Sequence, residues 1–359
     1  MENLTLKEKI GQMLIVGMDD NVIDDRIKNL ILNYKIGGII LYRKNFSTYQ
    51  EMINLISELK KLNSINKIPL FIAIDQEGGR VNRMPAEIHN IKNALSLSKT
   101  NNIEIIEEAA DITGEILEKS GYNMNFSPVL DILGNNTPKG IGDRCFGKNK
   151  EDVSKYGIIT MKQLQNHKII SVIKHFPGEG ITKMDSHYFL PSISKIDKDE
   201  VMPFAEAIKN NADAIMVGHI IIRDISLIYP ASLSKKLINE LRNKYKFDGL
   251  VITDDLKMRS IRLIYGTKAA LKKAFLAGND IILFRFNRKQ EIDGIESVIK
   301  MAENKKIDVK RIEESVNKII SIKEKYDISD INKIEGINID LINERIDKLN
   351  DLVNKINNE

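Results

Sequence analysis

The chain has 359 residues, 42% of them hydrophobic and 29% charged, with a formal net charge of +4. That is the composition of a globular protein with a sizeable core, and it lacks the basic stripe with interleaved aromatics that a nucleic-acid partner would need. Cys145 is the sole cysteine, which excludes an intrachain disulfide and a cysteine zinc site.

The N-terminal stretch MENLTLKEKIGQMLIVGMDD mixes acids with bases and carries only a short apolar run around Gly17. It has no basic n-region, no signal-type apolar segment and no small-residue cleavage site. No run approaches the roughly 20 apolar residues that cross a bilayer. These features predict a cytoplasmic protein with no membrane partner, and a monomer is expected.

In chain order, eight apolar runs of strand length alternate with helical patterns. The runs are Met13–Met18, Gly38–Tyr42, Leu70–Asp75, Met124–Ile132, Ile170–Phe176, Ala214–His219, Leu250–Asp255 and Ile281–Phe286. Their Ile, Val, Leu and Phe content suits parallel strands buried on both faces. Between them, Asp24–Lys35, Glu104–Ser120, Lys198–Asn210, Ser234–Lys244 and Thr267–Ala277 space their apolar residues as amphipathic helices do. Repeated strand–helix units give an open doubly wound sheet or a closed barrel. Asp75, Asp131, His175, His219 and Asp254 all fall at or near the C-terminal ends of their runs, which in a barrel converge on one mouth. No G-x-G-x-x-G follows the first run. The α/β reading is therefore a (β/α)8 TIM barrel over residues 1–327. From Asp308 the chain reads as a barrel-covering helix, and residues 328–359 as a helical C-terminal extension. The apolar stripe of that extension, Ile342, Ile346, Leu349, Val353 and Ile356, is expected to pack on the barrel.

Three constellations could carry chemistry. Asp75-Gln-Glu-Gly-Gly-Arg80-Val-Asn-Arg83 sets an acid, paired glycines and two arginines at a strand end. That suits a polyhydroxylated ligand, because carboxylates accept and guanidinium groups donate in fixed geometry; a charged surface turn is the plain alternative. Lys174-His-Phe-Pro-Gly-Glu-Gly180 leads to Asp185-Ser-His187. A regular strand sends only one of Lys174 and His175 inward, so both reach the mouth only if the strand breaks there. Asp185 is close enough in sequence to bond His187, fix its tautomer and favour its cation, giving a usable general acid near neutral pH; a solvated Asp-Ser turn with an incidental His is the plain alternative, and the commoner one for D-S-H alone. Thr253-Asp254-Asp255-Leu256 ends a buried strand in two acids, which requires catalysis, a metal or paired structural carboxylates. No H-x-H or H-E-x-x-H spacing supports a metal, so catalysis is preferred and neither metal nor cofactor is expected.

Together these segments resemble glycoside hydrolase family 3, in its bacterial single-domain β-N-acetylglucosaminidase (β-hexosaminidase) branch. The likeness runs from Leu6–Met13 through Asp75–Arg83, Asn125–Asp131, Gly142–Gly147, Lys174–His187, Met216–His219, Pro230–Ser234 and Thr253–Met258 to Ala277–Asp280. It implies Asp254 as the nucleophile of a retaining glycosidase and His187 as acid/base, with Asp185 holding and charging it. It further implies that Asp75, Arg83, Arg144, Lys174 and His175 bind N-acetylglucosamine. The expected substrate is a terminal β-linked N-acetylglucosamine on a small carbohydrate or muropeptide, within cell-wall recycling. A His/Asp acid/base departs from the usual pair of carboxylates. The family loop generally reads H-F-P-G-H-G, whereas Glu179 stands between the glycines here; Lys257 and Arg259 also differ from the residues often found after the nucleophile. The rival readings are a phosphorylase on the same site, a Schiff-base lyase using Lys174, and a sugar-binding barrel without chemistry.

Overall fold

The computed structural model describes residues 4–135, 137–180, 182, 190–285 and 288–358. In chain order, α1 (Leu6–Gln12) leads into β1 (Leu14–Gly17), followed by α2 (Asp25–Tyr34), β2 (Gly38–Ile40), α3 (Tyr49–Asn63) and β3 (Phe71–Ile74). Then come α4 (Ala94–Ser98), α5 (Ile103–Lys119), β4 (Met124–Asn125), α6 (Lys150–Asn166), β5 (Ile170–Phe176), β6 (Ser192–Ile193), α7 (Lys198–Lys209) and β7 (Ala214–Val217). The remainder comprises β8 (Ile221–Ile222), α8 (Lys235–Asn243), β9 (Leu250–Thr253), α9 (Arg259–Tyr265), α10 (Thr267–Ala277), β10 (Ile282–Phe284), α11 (Arg288–Glu303), α12 (Val309–Lys325) and α13 (Ile339–Asn358).

Eight strands pair in parallel in the order β10-β1-β2-β3-β4-β5-β7-β9, and a parallel bridge from Ile252 to Ile281 brings the two ends together. The result is the (β/α)8 barrel expected from the sequence. Nearly every strand residue is buried, as strands covered inside and outside must be. Helix starts follow from their capping residues. Asp24 accepts the amide of Ile27, and Thr48 with Glu51 forms a reciprocal capping box. Asn149 accepts Asp152 N, and Ser234 accepts Leu237 N.

The run Met124–Ile132 contributes only a two-residue strand. Beyond it the chain leaves the ladder at the cis Ser127–Pro128 bond and touches β5 again through a Val129–Lys174 bridge. β6 and β8, which follow β5 and β7, form a small separate parallel sheet beyond the C-terminal ends of the strands, which the apolar runs did not announce. At the opposite end, Lys323 of α12 plugs the barrel floor: its ammonium donates to Gln12 Oε1 (3.1 Å), the Gly37 carbonyl (3.0 Å) and the Pro69 carbonyl (2.7 Å). Helix α13 lies on α4 and α5, burying Ile342, Ile346, Leu349 and Val353. Arg345 of α13 bonds Glu108, Asp111 and Glu115 of α5.

Candidate active site

The catalytic face is assembled from loops that follow the strands. After β3 the chain turns through Gly78 (φ +88°) and Gly79 (φ +55°), values that side chains with a Cβ rarely adopt. Asn125 at the end of β4 pins this loop by accepting the amide of Gln76 and donating to its carbonyl, both at 2.9 Å. Gln76 Oε1 in turn accepts the Arg83 amide at 2.8 Å. Arg80 crosses to Asp143 (2.7 Å) and to the carbonyls of 139–141, tying the neighbouring 140–144 loop to the first.

A buried chain of alternating charge joins these loops to β5. Glu77 receives both arms of the Arg144 guanidinium at 2.7 and 2.8 Å and the Lys174 ammonium at 2.6 Å. The same ammonium reaches Asp75 at 2.7 Å. Burial alone would raise the Glu77 carboxyl, but the Arg144 and Lys174 charges reverse that and hold it far below the usual carboxylate range. Glu77 was absent from the residues implied by sequence. Its signal lay in the D-Q-E-G-G-R segment itself, where two cations downstream needed a shared buried anion.

Lys174 and His175 both line the cavity. The ladder between β5 and β7 shifts register between Ile173 and Phe176, and the Lys174–His175 peptide is cis. This is the break that the sequence required. Asp131, fully buried after β4, fixes His175: its Oδ2 lies 2.7 Å from His175 Nδ1, and its Oδ1 accepts the Glu179 amide at 2.7 Å. Burial disfavours the imidazolium, but the Asp131 and Glu179 charges outweigh it, so the His175 pKa is raised. Glu179 itself is buried and lines the cavity.

Asp254 follows the last residue of β9, its amide donating to the Val217 carbonyl at 3.0 Å. Asp254 and Asp255 both line the mouth. They can do so because the chain has left the strand there. The Asp255 amide donates to Asp254 Oδ1 (2.7 Å), while Asp255 Oδ1 accepts the Lys257 amide (2.8 Å). Burial, and then the charge of Asp254 beside it, push the Asp255 carboxyl up to about 7 against that amide bond. His219, which sits between Ser232 Oγ (2.7 Å) and the Asp255 carbonyl (3.1 Å), supports this turn from below. Tyr42 lines the same cavity, its ring under the Arg285 guanidinium at 4.9 Å. Burial and the Asp255 and Asp75 charges hold its hydroxyl in the protonated form.

The cavity encloses about 510 Å3 and brings together Asp75, Arg83, Arg144, Lys174, His175 and Asp254. Arg83 Nε is buried there without a hydrogen-bond partner among the described residues. Asp185 and His187 lie outside the described residues. Among the described residues, no group of three or more His, Cys, Asp or Glu side chains is arranged to hold a metal. Such a cavity, polar on one wall and walled by Ile40, Phe126, Met216 and Leu283 on others, suits a ring with hydroxyl groups on its edge and C–H on its faces.

Known proteins with this frame agree in kind. The chain is 34% identical to Beta-hexosaminidase A of Pseudoalteromonas piscicida over 281 residues, which are 72% of this chain and 47% of that protein. It thus spans about half the length of that relative. It is 31% identical over 289 residues to a Beta-hexosaminidase of Neisseria meningitidis, covering 77% of this chain and 78% of the other. A glycoside hydrolase family 3 beta-N-acetylglucosaminidase from Paenibacillus superposes with a TM-score of 0.90 at 31% identity, over 96% of this chain and 68% of its own. Residues 5–322 match the glycosyl hydrolase family 3 N terminal domain, so the chain belongs to that family of glycoside hydrolases.

Proposed function

We propose that this protein is a retaining exo-β-N-acetylglucosaminidase that releases terminal β-linked N-acetylglucosamine from peptidoglycan fragments inside the cell, acting as a monomer. The observation that carries the reading is the convergence, around one cavity, of a strand-end carboxylate with a wall of fixed polar groups of the kind that suits sugar hydroxyls. Asp254 attacks the anomeric carbon while the glycosidic oxygen leaves with a proton from His187, giving a glycosyl ester. Water, deprotonated by His187, then attacks the same carbon and frees Asp254 with net retention. Asp185 supplies the counter-charge that keeps the imidazole basic enough for both halves.

The binding wall has a matching logic. Lys174 and Arg144 are oriented donors, since Glu77 fixes one face of each. Asp75 presents acceptor oxygens for hydroxyl groups. The two carboxylates on Lys174 Nζ engage the amine that a Schiff-base mechanism would need free, which argues against the lyase.

The test is hydrolysis of an aryl N-acetyl-β-glucosaminide by wild type, Asp254→Ala and His187→Ala, with and without phosphate. Asp254→Ala should lose about 10³-fold or more in kcat, and His187→Ala should lose most activity on substrates with poor leaving groups. Wild-type rates in both variants would sink the mechanism. A glycosyl phosphate product would replace hydrolysis by phosphorolysis. An aryl β-glucoside, which lacks the acetamido group, should react much more slowly.

A further inference from the structure

An apolar ridge stands on the catalytic face, outside the cavity. The 223–229 loop follows β8 and presents Leu227 (74% exposed) and Ile228 (65%). Helix α9, which starts just after the cavity-lining Met258, presents Leu263 (65%) and Ile264 (57%). The two segments are fastened to each other. The Tyr265 hydroxyl donates to the Ile228 carbonyl, and the Tyr229 and Tyr265 rings pack with centroids 6.1 Å apart. Lys273 covers the Tyr229 ring at 4.3 Å. Underneath, Ile261 is fully buried and roots α9 in the core. The four aliphatic side chains are thus held outward by a built support.

The charge around the ridge is predominantly basic: the 223–229 loop carries one exposed cation, Arg223, and one exposed anion, Asp224, and the α9 side is wholly basic. The chain as a whole carries 54 Lys and Arg against 50 Asp and Glu, yet residues 256–279 hold six basic residues and no acidic one. Arg259, Arg262 and Lys268 are exposed beside the aliphatic tips. Monomeric proteins seldom leave large aliphatic side chains clustered in water without a partner. Nucleic acid has no use for aliphatic tips, and six cations with no acid across residues 256–279 call for an anionic partner. Aliphatic tips flanked by Lys and Arg fit the boundary of an anionic bilayer, where the tips enter the acyl region and the cations meet headgroup phosphates.

We propose that this ridge docks the protein peripherally on an anionic lipid surface, with the mouth of the barrel turned towards that surface. No helix among the described residues is long and apolar enough to cross a membrane; peripheral docking needs none, and it places the cavity within about one short helix length, roughly 10 Å, of the lipid boundary. Substrates still attached to, or released at, a membrane would then be met at the surface.

The test is vesicle flotation of the full chain with phosphatidylglycerol–phosphatidylcholine vesicles and with phosphatidylcholine alone. Wild type should partition at least about tenfold better to the anionic vesicles at low salt, and high salt should reduce the difference. Leu227→Ser/Ile228→Ser and Leu263→Ser/Ile264→Ser should each lose about tenfold or more of that partition. Arg262→Glu/Lys268→Glu should abolish the lipid preference. All the substituted positions are exposed, so unchanged melting temperatures and unchanged turnover of a soluble aryl substrate serve as folding controls. Equal flotation of wild type and variants, or none by wild type, overturns the proposal. So does concentration-dependent self-association that the serine variants remove, which would assign the ridge to a second copy. Because flotation reads lipid binding without turnover, its failure is separable from failure of the proposed hydrolysis.

Discussion

Glu77 shows how a single carboxylate organises one wall of the cavity. Its oxygens hold a lysine and an arginine that would otherwise repel each other across a desolvated gap. Replacing it by Gln keeps the volume but removes the shared anion, and breaking a buried pair of this kind costs about 3–5 kcal/mol. Glu77→Gln should therefore lower the melting temperature and raise KM for the aryl N-acetyl-β-glucosaminide by more than about tenfold, with a smaller change in kcat. Steady-state kinetics with thermal denaturation checks this, and an unchanged KM would show that Lys174 and Arg144 are positioned by other contacts. Asp75 and Lys174 stood out by their types at strand ends, whereas Arg144, in the 142–144 turn, was implied only by the family resemblance. The sequence placed Asp131 only by its strand-end position and did not single out Glu77; the work of both is to hold another side chain, and only the fold makes that partner visible. Asp131, 44 residues from His175 along the chain, has no local pattern that announces the pairing.

At the level of elements, the strands were legible because parallel strands buried on both faces leave unbroken apolar runs. Ile170–Phe176 and the helix Thr267–Ala277 match the sequence reading residue for residue, whereas the polar ends of other runs, such as Asp75 and His219, have left the ladder for the cavity or its support. Helix α13 was legible from its stripe alone. Its stability contribution comes from the buried stripe Ile342, Ile346, Leu349 and Val353, of which Ile346 is fully buried, while Arg345 is a third exposed and its ion pairs add less. Ile346→Ala should cost about 2–4 kcal/mol in denaturant unfolding, with kcat and KM unaltered because α13 lies on the barrel flank. A loss of activity without a loss of stability would mean that α13 acts on the site. The small β6–β8 sheet was not legible, because two-residue strands carry no period.

For the whole molecule, buried titratable groups set how stability varies with pH. Burial, and then the Asp131 and Asp197 charges, push the Glu200 carboxyl up to about 8; burial pushes Glu291 up to about 7 despite its 2.7 Å bond to Arg26. Asp255 is raised in the same direction, to about 7. Each keeps its proton in the folded state at pH values where the unfolded chain has lost it, so the folded state binds more protons between about pH 4 and pH 8. Stability from these groups is complete below the unfolded carboxyl range and is lost as pH rises through the folded values. Lys323 runs the other way. Burial pushes it down to about 7, so its cost falls as pH rises from 7 towards the unfolded lysine range. Glu200 is the cleanest probe, because it lies behind the 176–180 loop against Gly178 and outside the cavity lining. Glu200→Gln mimics the protonated acid at every pH. Its unfolding free energy should stay near wild type at pH 5 and exceed it increasingly up to about pH 8, where the gain reaches about 1–3 kcal/mol, below the full linkage value because the loop can relax and admit water. A constant offset across that range would place the Glu200 carboxyl in the ordinary acid range and assign the pH dependence to Asp255 and Glu291.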